Sequence, residues 1–263
     1  MKKTKVIAFA NNKGGSGKTT SVSNVGHAMA KMGYRVLLID ADMQVNLTLS
    51  FFDEEMALGF AGSGKNLFTA VKGERDIADF IVNTPYAGLD IVPSTPEMSN
   101  MEFELFTKWQ REFILKKILA PTVARGIYDF VLIDSPPTLG GWVMNILCAS
   151  DFVIIPVEAS PWGLFGLANM FDFINKVQDL SPRLSVLGIA ITKADERKNY
   201  FKETVKTLKE SDVARLFDTF VRVDSAVEWS QDNSQPVTAY KKYSRSSIEY
   251  TMLTKEIIKY ADR

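Results

Sequence analysis

Six short apolar runs recur along the chain, and most read as continuous Val, Ile and Leu instead of alternating with polar residues. They are Lys5–Ala10, Arg35–Asp40, Leu89–Pro93, Tyr128–Asp134, Asp151–Val157 and Ser185–Thr192. A strand that is apolar on both faces must be covered on both faces, which is the signature of a parallel sheet inside helical layers. Helix-patterned stretches separate the runs: Lys18–Met32, Glu97–Leu119, Leu139–Cys148, Trp162–Leu180, Tyr200–Glu210 and Ser244–Tyr260. Strand–helix–strand repetition of this kind predicts an α/β fold, a doubly wound and mostly parallel sheet flanked by helices. At 263 residues, with no linker or repeat, residues 1–263 are expected to form one domain. Phe51–Asn66, with Gly59, Gly62 and Gly64, reads as an irregular surface excursion.

Composition narrows the function classes. Hydrophobic residues make up 46% and charged residues 24%, which excludes a disordered chain. No apolar run approaches the roughly 18–20 residues of a spanning helix. The first apolar stretch, Val6–Ala10, is too short for a signal peptide, and Cys148 is the single cysteine. That combination predicts a cytoplasmic protein without disulfides. It also excludes an iron–sulfur carrier, which needs at least two cysteine ligands per subunit. Basic and acidic residues both number 31, so any nucleic-acid contact must come from a local patch.

The first run leads almost directly into Asn12-Lys13-Gly14-Gly15-Ser16-Gly17-Lys18-Thr19-Thr20, and then a helix begins. Glycines let successive backbone N–H groups turn inward and form an anion nest at a helix N-terminus. Lys18 is placed to reach the β- and γ-phosphates of a nucleotide, and the Thr19 hydroxyl to ligate Mg²⁺. The first position of G-x-x-x-x-G-K-[ST] falls on Asn12, so the loop is the variant K-G-G-x-G-K-T with a second lysine, Lys13. Gly62-Ser63-Gly64-Lys65 echoes it, but no strand precedes it and Asn66 follows; a flexible turn is expected there. Asp134 ends an apolar strand, where a carboxylate can hold the Mg²⁺ shell. Asp40 closes the second strand, and an extended chain would put Asp42 on the same side.

These motifs are similar to the ParA/MinD group of ATPases with a deviant Walker A box. Asp40-Ala41-Asp42-Met43-Gln44-Val45-Asn46 resembles its D-x-D-P-Q-x-N segment, and Asp134-Ser135-Pro136-Pro137-Thr138-Leu139-Gly140 its D-x-P-P-x-L-G segment. Ile154–Val157, Arg222, Glu228, Pro236-Val237 and Lys242–Arg245 follow in the order of the ParA branch. The resemblance implies ATP and Mg²⁺ as cofactors, with Asn12 through Thr20 around the nucleotide and Thr19, Asp40 and Asp134 linked to the metal. It implies that Asp42 orients the attacking water, beside Lys18. It further implies a homodimer with ATP sandwiched between subunits, Lys13 crossing to the partner's phosphates. Met43 and Val45 depart from the group's usual Pro and Gly. Thr192-Lys193-Ala194-Asp195 superficially resembles the N-K-x-D loop that reads guanine in GTPases. The group instead has Thr at the position of Thr192 and reads adenine through backbone near Pro236, so ATP is expected.

The ParA branch also implies non-specific DNA binding by the ATP-bound dimer, a ParB-like centromere-binding partner that stimulates hydrolysis, and nucleoid-associated movement of plasmid or chromosome cargo. Lys241, Lys242 and Arg245 cluster before the last helix with no acid between Asp232 and Glu249, and Arg222 joins them in the group's pattern. Such residues would neutralise phosphates without reading bases. The alternative is a MinD-like ATPase that positions cargo on a membrane or a protein assembly. A membrane is disfavoured, because Glu249, Glu256 and Asp262 offset the basic residues of the last helix and its apolar positions, Ile248, Met252, Leu253, Ile257 and Ile258, read as core-facing. A nucleotide-switched scaffold would share every binding residue and differ only in turnover. His27 reads as a packed or surface residue without a functional role, and Trp109 and Trp162 read as core residues.

Overall fold

A computed structural model describes residues 3–160, 163–211 and 213–262. The first half runs β1 (Lys5–Phe9), α1 (Lys18–Lys31), β2 (Val36–Asp40), α2 (Asn46–Leu49), α3 (Glu54–Ser63), α4 (Leu67–Lys72), β3 (Val82–Asn83), β4 (Leu89–Val92), α5 (Met101–Phe106) and α6 (Ile114–Arg125). The second runs β5 (Phe130–Asp134), α7 (Gly141–Cys148), β6 (Phe152–Glu158), α8 (Gly163–Leu180), β7 (Ser185–Thr192), α9 (Asn199–Ser211), α10 (Ser225–Asp232), α11 (Val237–Tyr240) and α12 (Arg245–Ala261).

The strands form one sheet in the order β3-β4-β2-β5-β1-β6-β7, parallel except for the β3–β4 edge pair. Alternate residues of the same strand serve two cores. Val6, Ala8, Leu37, Ile39, Val131 and Ile133 pack on one face with α4, α6, α7 and α8. Ile7, Phe9, Leu38, Phe130, Leu132 and Ile154 pack on the other with α1 and α12. All six expected strands are present, and the continuous apolar runs are explained by this double burial. Sheets of this type place ligands beyond the carboxyl ends of their strands, where the strand order reverses. Here that point is the end of β1, between β5 and β6.

Two expectations are corrected. Phe51–Asn66 is not irregular: Asp53 accepts a hydrogen bond from the Met56 N–H and Gly64 closes the helix in the left-handed region, so α3 fills most of it. The Gly62–Lys65 lookalike is therefore a helix end. Glu97–Leu119 is not one helix either. Gln110 adopts φ +50°, and the Asn145 side chain of α7 binds the Arg111 carbonyl and accepts from the Leu115 N–H. Those contacts turn the chain between α5 and α6 and leave Trp109 exposed, so it is not a core residue. Trp162 lies outside the described residues.

Candidate nucleotide and metal site

The loop after β1 is held by β6 on one side and β7 on the other, and is braced internally by Asn11. Asn11 donates from its amide to the Pro156 carbonyl at 2.6 Å and accepts from the Lys13 N–H at 3.0 Å. The Thr192 hydroxyl at the end of β7 donates to the Ser16 carbonyl at 2.8 Å. Gly17 sits at φ +82°, and a Cβ there would meet the Thr192 side chain at 3.1 Å, so the tight turn and the close approach both require glycine. No local sequence pattern marks Asn11, or Thr48, which closes on Asp40.

This loop borders a cavity of about 810 Å³, which falls in the range of small-molecule sites. Gly14 through Thr20 form its floor; Asp42, Gln44 and Pro137 lie on one side, and Val221 through Asp224, Val227 and Gln231 on the other. Lys18 is buried, and its ammonium donates to the Lys13 carbonyl at 3.2 Å. Burial pushes its pKa below the ordinary lysine value, while the Asp134 and Asp42 charges oppose that shift. The Thr19 hydroxyl donates to Asp134 Oδ2 at 2.6 Å. The other carboxylate oxygen, Asp134 Oδ1, is buried without a partner, as is Ser16 Oγ. Burial first, and the charge of Asp40 second, raise the Asp134 pKa well above the carboxylate range.

An unpaired buried carboxylate oxygen beside a hydroxyl and a buried ammonium suits a divalent cation carried in with phosphate oxygens. Among the described residues no group of three or more His, Cys, Asp or Glu converges as a metal cage. Mg²⁺ needs none, since one or two carboxylates and substrate phosphates commonly hold it. The donor set fits.

Asp40 and Asp42 part company. Asp42 borders the cavity, and its carboxylate accepts from the Gln44 N–H at 3.1 Å; burial raises its pKa, opposed by that bond and by Lys18. Asp40 is fully buried and points into its own segment. It accepts from the Thr48 N–H at 2.8 Å, the Thr48 hydroxyl at 2.7 Å and the Asp42 N–H at 3.3 Å. Its pKa is pushed up to about 7, chiefly by burial. The strand ends at Asp40, so the expected alternation does not extend to Asp42. Asp40 organises the segment instead of facing Thr19.

Lys13 points away from the cavity floor: its ammonium lies 2.7 Å from Ser160 Oγ and 3.6 Å from Glu158 Oε2. Asn12 does not line the cavity, and its Oδ1 is buried without a partner. Pro236 does not line it either; its carbonyl accepts from the Ala239 and Tyr240 N–H groups inside α11, leaving the far wall to residues 221–224. Asp195 is gripped by Arg197 at 2.8 Å and is absent from the lining, so the guanine-reader geometry does not form. Thr192 and Lys193 do border the cavity.

Lys241, Lys242 and Arg245 are exposed around the start of α12. Two acids lie nearer in space than in sequence. Glu249 holds the Arg222 guanidinium beside the cavity, and Asp224 accepts from the Ser246 N–H at 3.0 Å. The α12 apolar positions split: Leu253 and Ile257 are buried, while Ile248 and Met252 are half exposed, which corrects the expectation that all face the core. His27 is buried against Tyr86, with its Nδ1 2.8 Å from the Thr238 hydroxyl. No described helix is long and apolar enough to cross a membrane.

Comparison with known proteins agrees with this geometry. A family model described as an AAA domain matches residues 4–186. The chain is 32% identical over 255 residues to the chromosome partitioning protein ParA of Caulobacter vibrioides, covering 97% of this chain and 94% of that one. It is 32% identical to the sporulation initiation inhibitor protein Soj of Bacillus subtilis, covering 96% and 98%. Among solved structures, cobyrinic acid a,c-diamide synthase from Mycobacterium smegmatis with bound ATP analog and magnesium superimposes with a TM-score of 0.83 at 26% identity, covering 98% and 96%. With the loop, the Thr19–Asp134 pair and 32% identity to these relatives over nearly the whole chain, the chain belongs to the ParA/Soj family of P-loop ATPases.

Proposed function

We propose that this ATPase hydrolyses Mg·ATP slowly as a nucleotide-sandwich dimer, binds DNA non-specifically in that state, and drives plasmid or chromosome partition with a ParB-like partner. The observation that carries the ATPase half is the Thr19–Asp134 contact with its unpaired oxygen beside Lys18. Lys18 balances phosphate charge from a buried position, where electrostatic contacts count for more than in water. Thr19 and Asp134 would hold the metal. A bound Mg²⁺ would supply charge neutralisation on the phosphate oxygens. Asp42 borders the cavity with a raised pKa, the setting of a group that orients water and accepts its proton.

Lys13 supports the dimer reading, because its ammonium is spent on Ser160 and Glu158 and not on its own cavity. Delivered across an interface it would act as an arginine finger does. Lys13→Ala is expected to abolish turnover while leaving ATP binding by the monomer intact. Undiminished hydrolysis in that variant removes the cross-subunit role.

The DNA half rests on the exposed Lys241, Lys242 and Arg245, with Arg222 behind them on Glu249. Doubling the patch in a dimer strengthens it. Binding is measured with ATP, ADP or no nucleotide across a salt series. Tight, salt-sensitive binding with ATP alone is expected, giving nucleoid association in the cytoplasm. ATP-driven dimers that ignore DNA in every state would move the cargo to a protein assembly or a membrane.

A further inference from the structure

Three aromatic side chains on and just after α5 face solvent: Phe103 is 78% exposed, Phe106 73% and Trp109 87%. Their mounting is firm on both sides. The Glu102 carboxylate accepts from the Gly141 N–H at 3.1 Å and the Trp142 N–H at 2.9 Å, capping α7. A Cβ at Gly140 would fall 2.3 Å from one oxygen of that carboxylate, and a Cβ at Gly141 2.9 Å from the other, so the paired glycines make its seat. Beyond the patch, Asn145 of α7 accepts from the Leu115 N–H at 3.2 Å and donates to the Arg111 carbonyl at 2.5 Å. The rings are presented by anchored backbone.

The same anchors lead to the nucleotide site. Trp142, whose N–H caps onto Glu102, donates from its indole to the Ala41 carbonyl at 2.9 Å, and Ala41 lies between Asp40 and Asp42. The Ala41 N–H in turn donates to the Asp134 carbonyl at 3.1 Å. The patch therefore rides on the loop that descends from Asp134 and touches the segment carrying Asp42.

We propose that Phe103, Phe106 and Trp109 form the apolar anchor of the dimer, meeting the same surface of a second copy across a two-fold axis. This rests on the dimer reading above. Area favours a second copy. Three such rings offer on the order of 400–600 Å² of apolar surface, and a stable interface needs about 800 Å² per partner around an aromatic-rich centre. The rim of the phosphate site exposes Gly14, Gly15, Pro137 and Thr138, which supply contact area but no apolar centre. Patch and rim are each insufficient alone and complementary together. Because the patch is tied to the loops that grip nucleotide, its presentation follows their state, which makes pairing depend on ATP.

Sedimentation velocity of the full chain, with ATP or with ADP, tests this in the wild type and in Phe106→Ser and Trp109→Ser. Both side chains are exposed, so folding and binding of a fluorescent ATP analogue should be unchanged. The expected result is an ATP-dependent wild-type dimer whose dissociation constant rises about 30-fold or more in each variant, the size of a hot-spot loss. A second readout is fluorescence: ATP should blue-shift the emission in a concentration-dependent way, and Trp109→Phe should remove that shift. Variants that dimerise like the wild type overturn the proposal, including the case in which they lose only contact with another protein. A wild type that stays monomeric with ATP at every concentration overturns the dimer reading and this anchor with it. The two failures are told apart by the wild-type trace.

Discussion

Two loops meet at the nucleotide cavity, and both need backbone in the left-handed region, yet they obtain it differently. The phosphate loop uses Gly15 at φ +72° and Gly17 at φ +82°, where glycine carries no steric cost. The segment after β2 uses Val45 at φ +60°, a conformation that a β-branched residue adopts only under strain of about 1–3 kcal/mol. Tertiary bonds hold it there. The Val45 N–H donates to the Asp42 carbonyl, the Ser94 hydroxyl donates to the same carbonyl at 2.6 Å, and Thr48 closes on Asp40. One loop is locally at rest around a charge it must cradle. The other is bent against its preference and keeps its shape through Asp40, Thr48 and Ser94, so it can shift when those bonds do.

The sharpest break in the comparison comes from the relaxed loop. Gly17→Val puts a side chain into Thr192 at a φ that disfavours it, and should weaken ATP binding roughly a hundredfold or more by calorimetry. Retained affinity would show that the loop has slack and that glycine is not what shapes it. The strained loop should respond in rate instead. Asp42→Ala removes the carboxylate proposed above to orient water, and turnover should fall about 10²–10⁴-fold. ATP affinity should hold within a few-fold, since a negative charge near Lys18 has been removed. A variant that hydrolyses normally assigns the base elsewhere.

How much of this was legible follows the same division. The phosphate loop is a contiguous motif, so strand, glycines, Lys18 and Thr19 are read in a line; Asp134 is legible because it ends an apolar run. The contacts that support them are not, because they join distant positions: Asn11 with Pro156, Thr192 with Ser16, Asp40 with Thr48, Glu102 with Gly141. The α3 helix is obscured in the sequence because its glycines outweigh a legible Asp53 cap; Gly59 and Gly62 face open space, where a missing side chain loses no packing. The break after α5 is hidden for the opposite reason. Its helical pattern is sound locally and is overridden by Asn145, thirty residues and more away.

A smaller effect concerns the buried acid that organises the strained segment. Asp40 has a folded pKa of about 7 against an ordinary 3.8, so between those values the folded chain holds a proton that the unfolded chain releases. Stability from this group is full below pH 4 and is lost as pH rises through 7. His27, lowered to about 4 by burial, contributes a slope of opposite sign, but one shared by any Asp40 variant. Asp40→Asn should therefore gain on the wild type in unfolding free energy, obtained from melting curves, by a few kcal/mol between pH 4 and 7, and keep that lead to pH 8. Parallel curves would mean that Asp40 titrates normally and that its burial is compensated.

The smallest effect tests the strain itself, and its sign matters more than its size. Truncating buried Val45 loses apolar burial whichever residue replaces it. At an ordinary position alanine is then better than glycine by about 0.5–1 kcal/mol, because glycine has more freedom to lose on folding. In the left-handed region the order inverts, since alanine keeps the steric cost and glycine sheds it. Val45→Gly should thus melt above Val45→Ala, whereas at Val36, buried inside β2, the glycine variant should melt below the alanine variant. The same ranking at both positions would mean that the segment relaxes around its side chain, and the two loops would then differ in sequence but not in how they hold their shape.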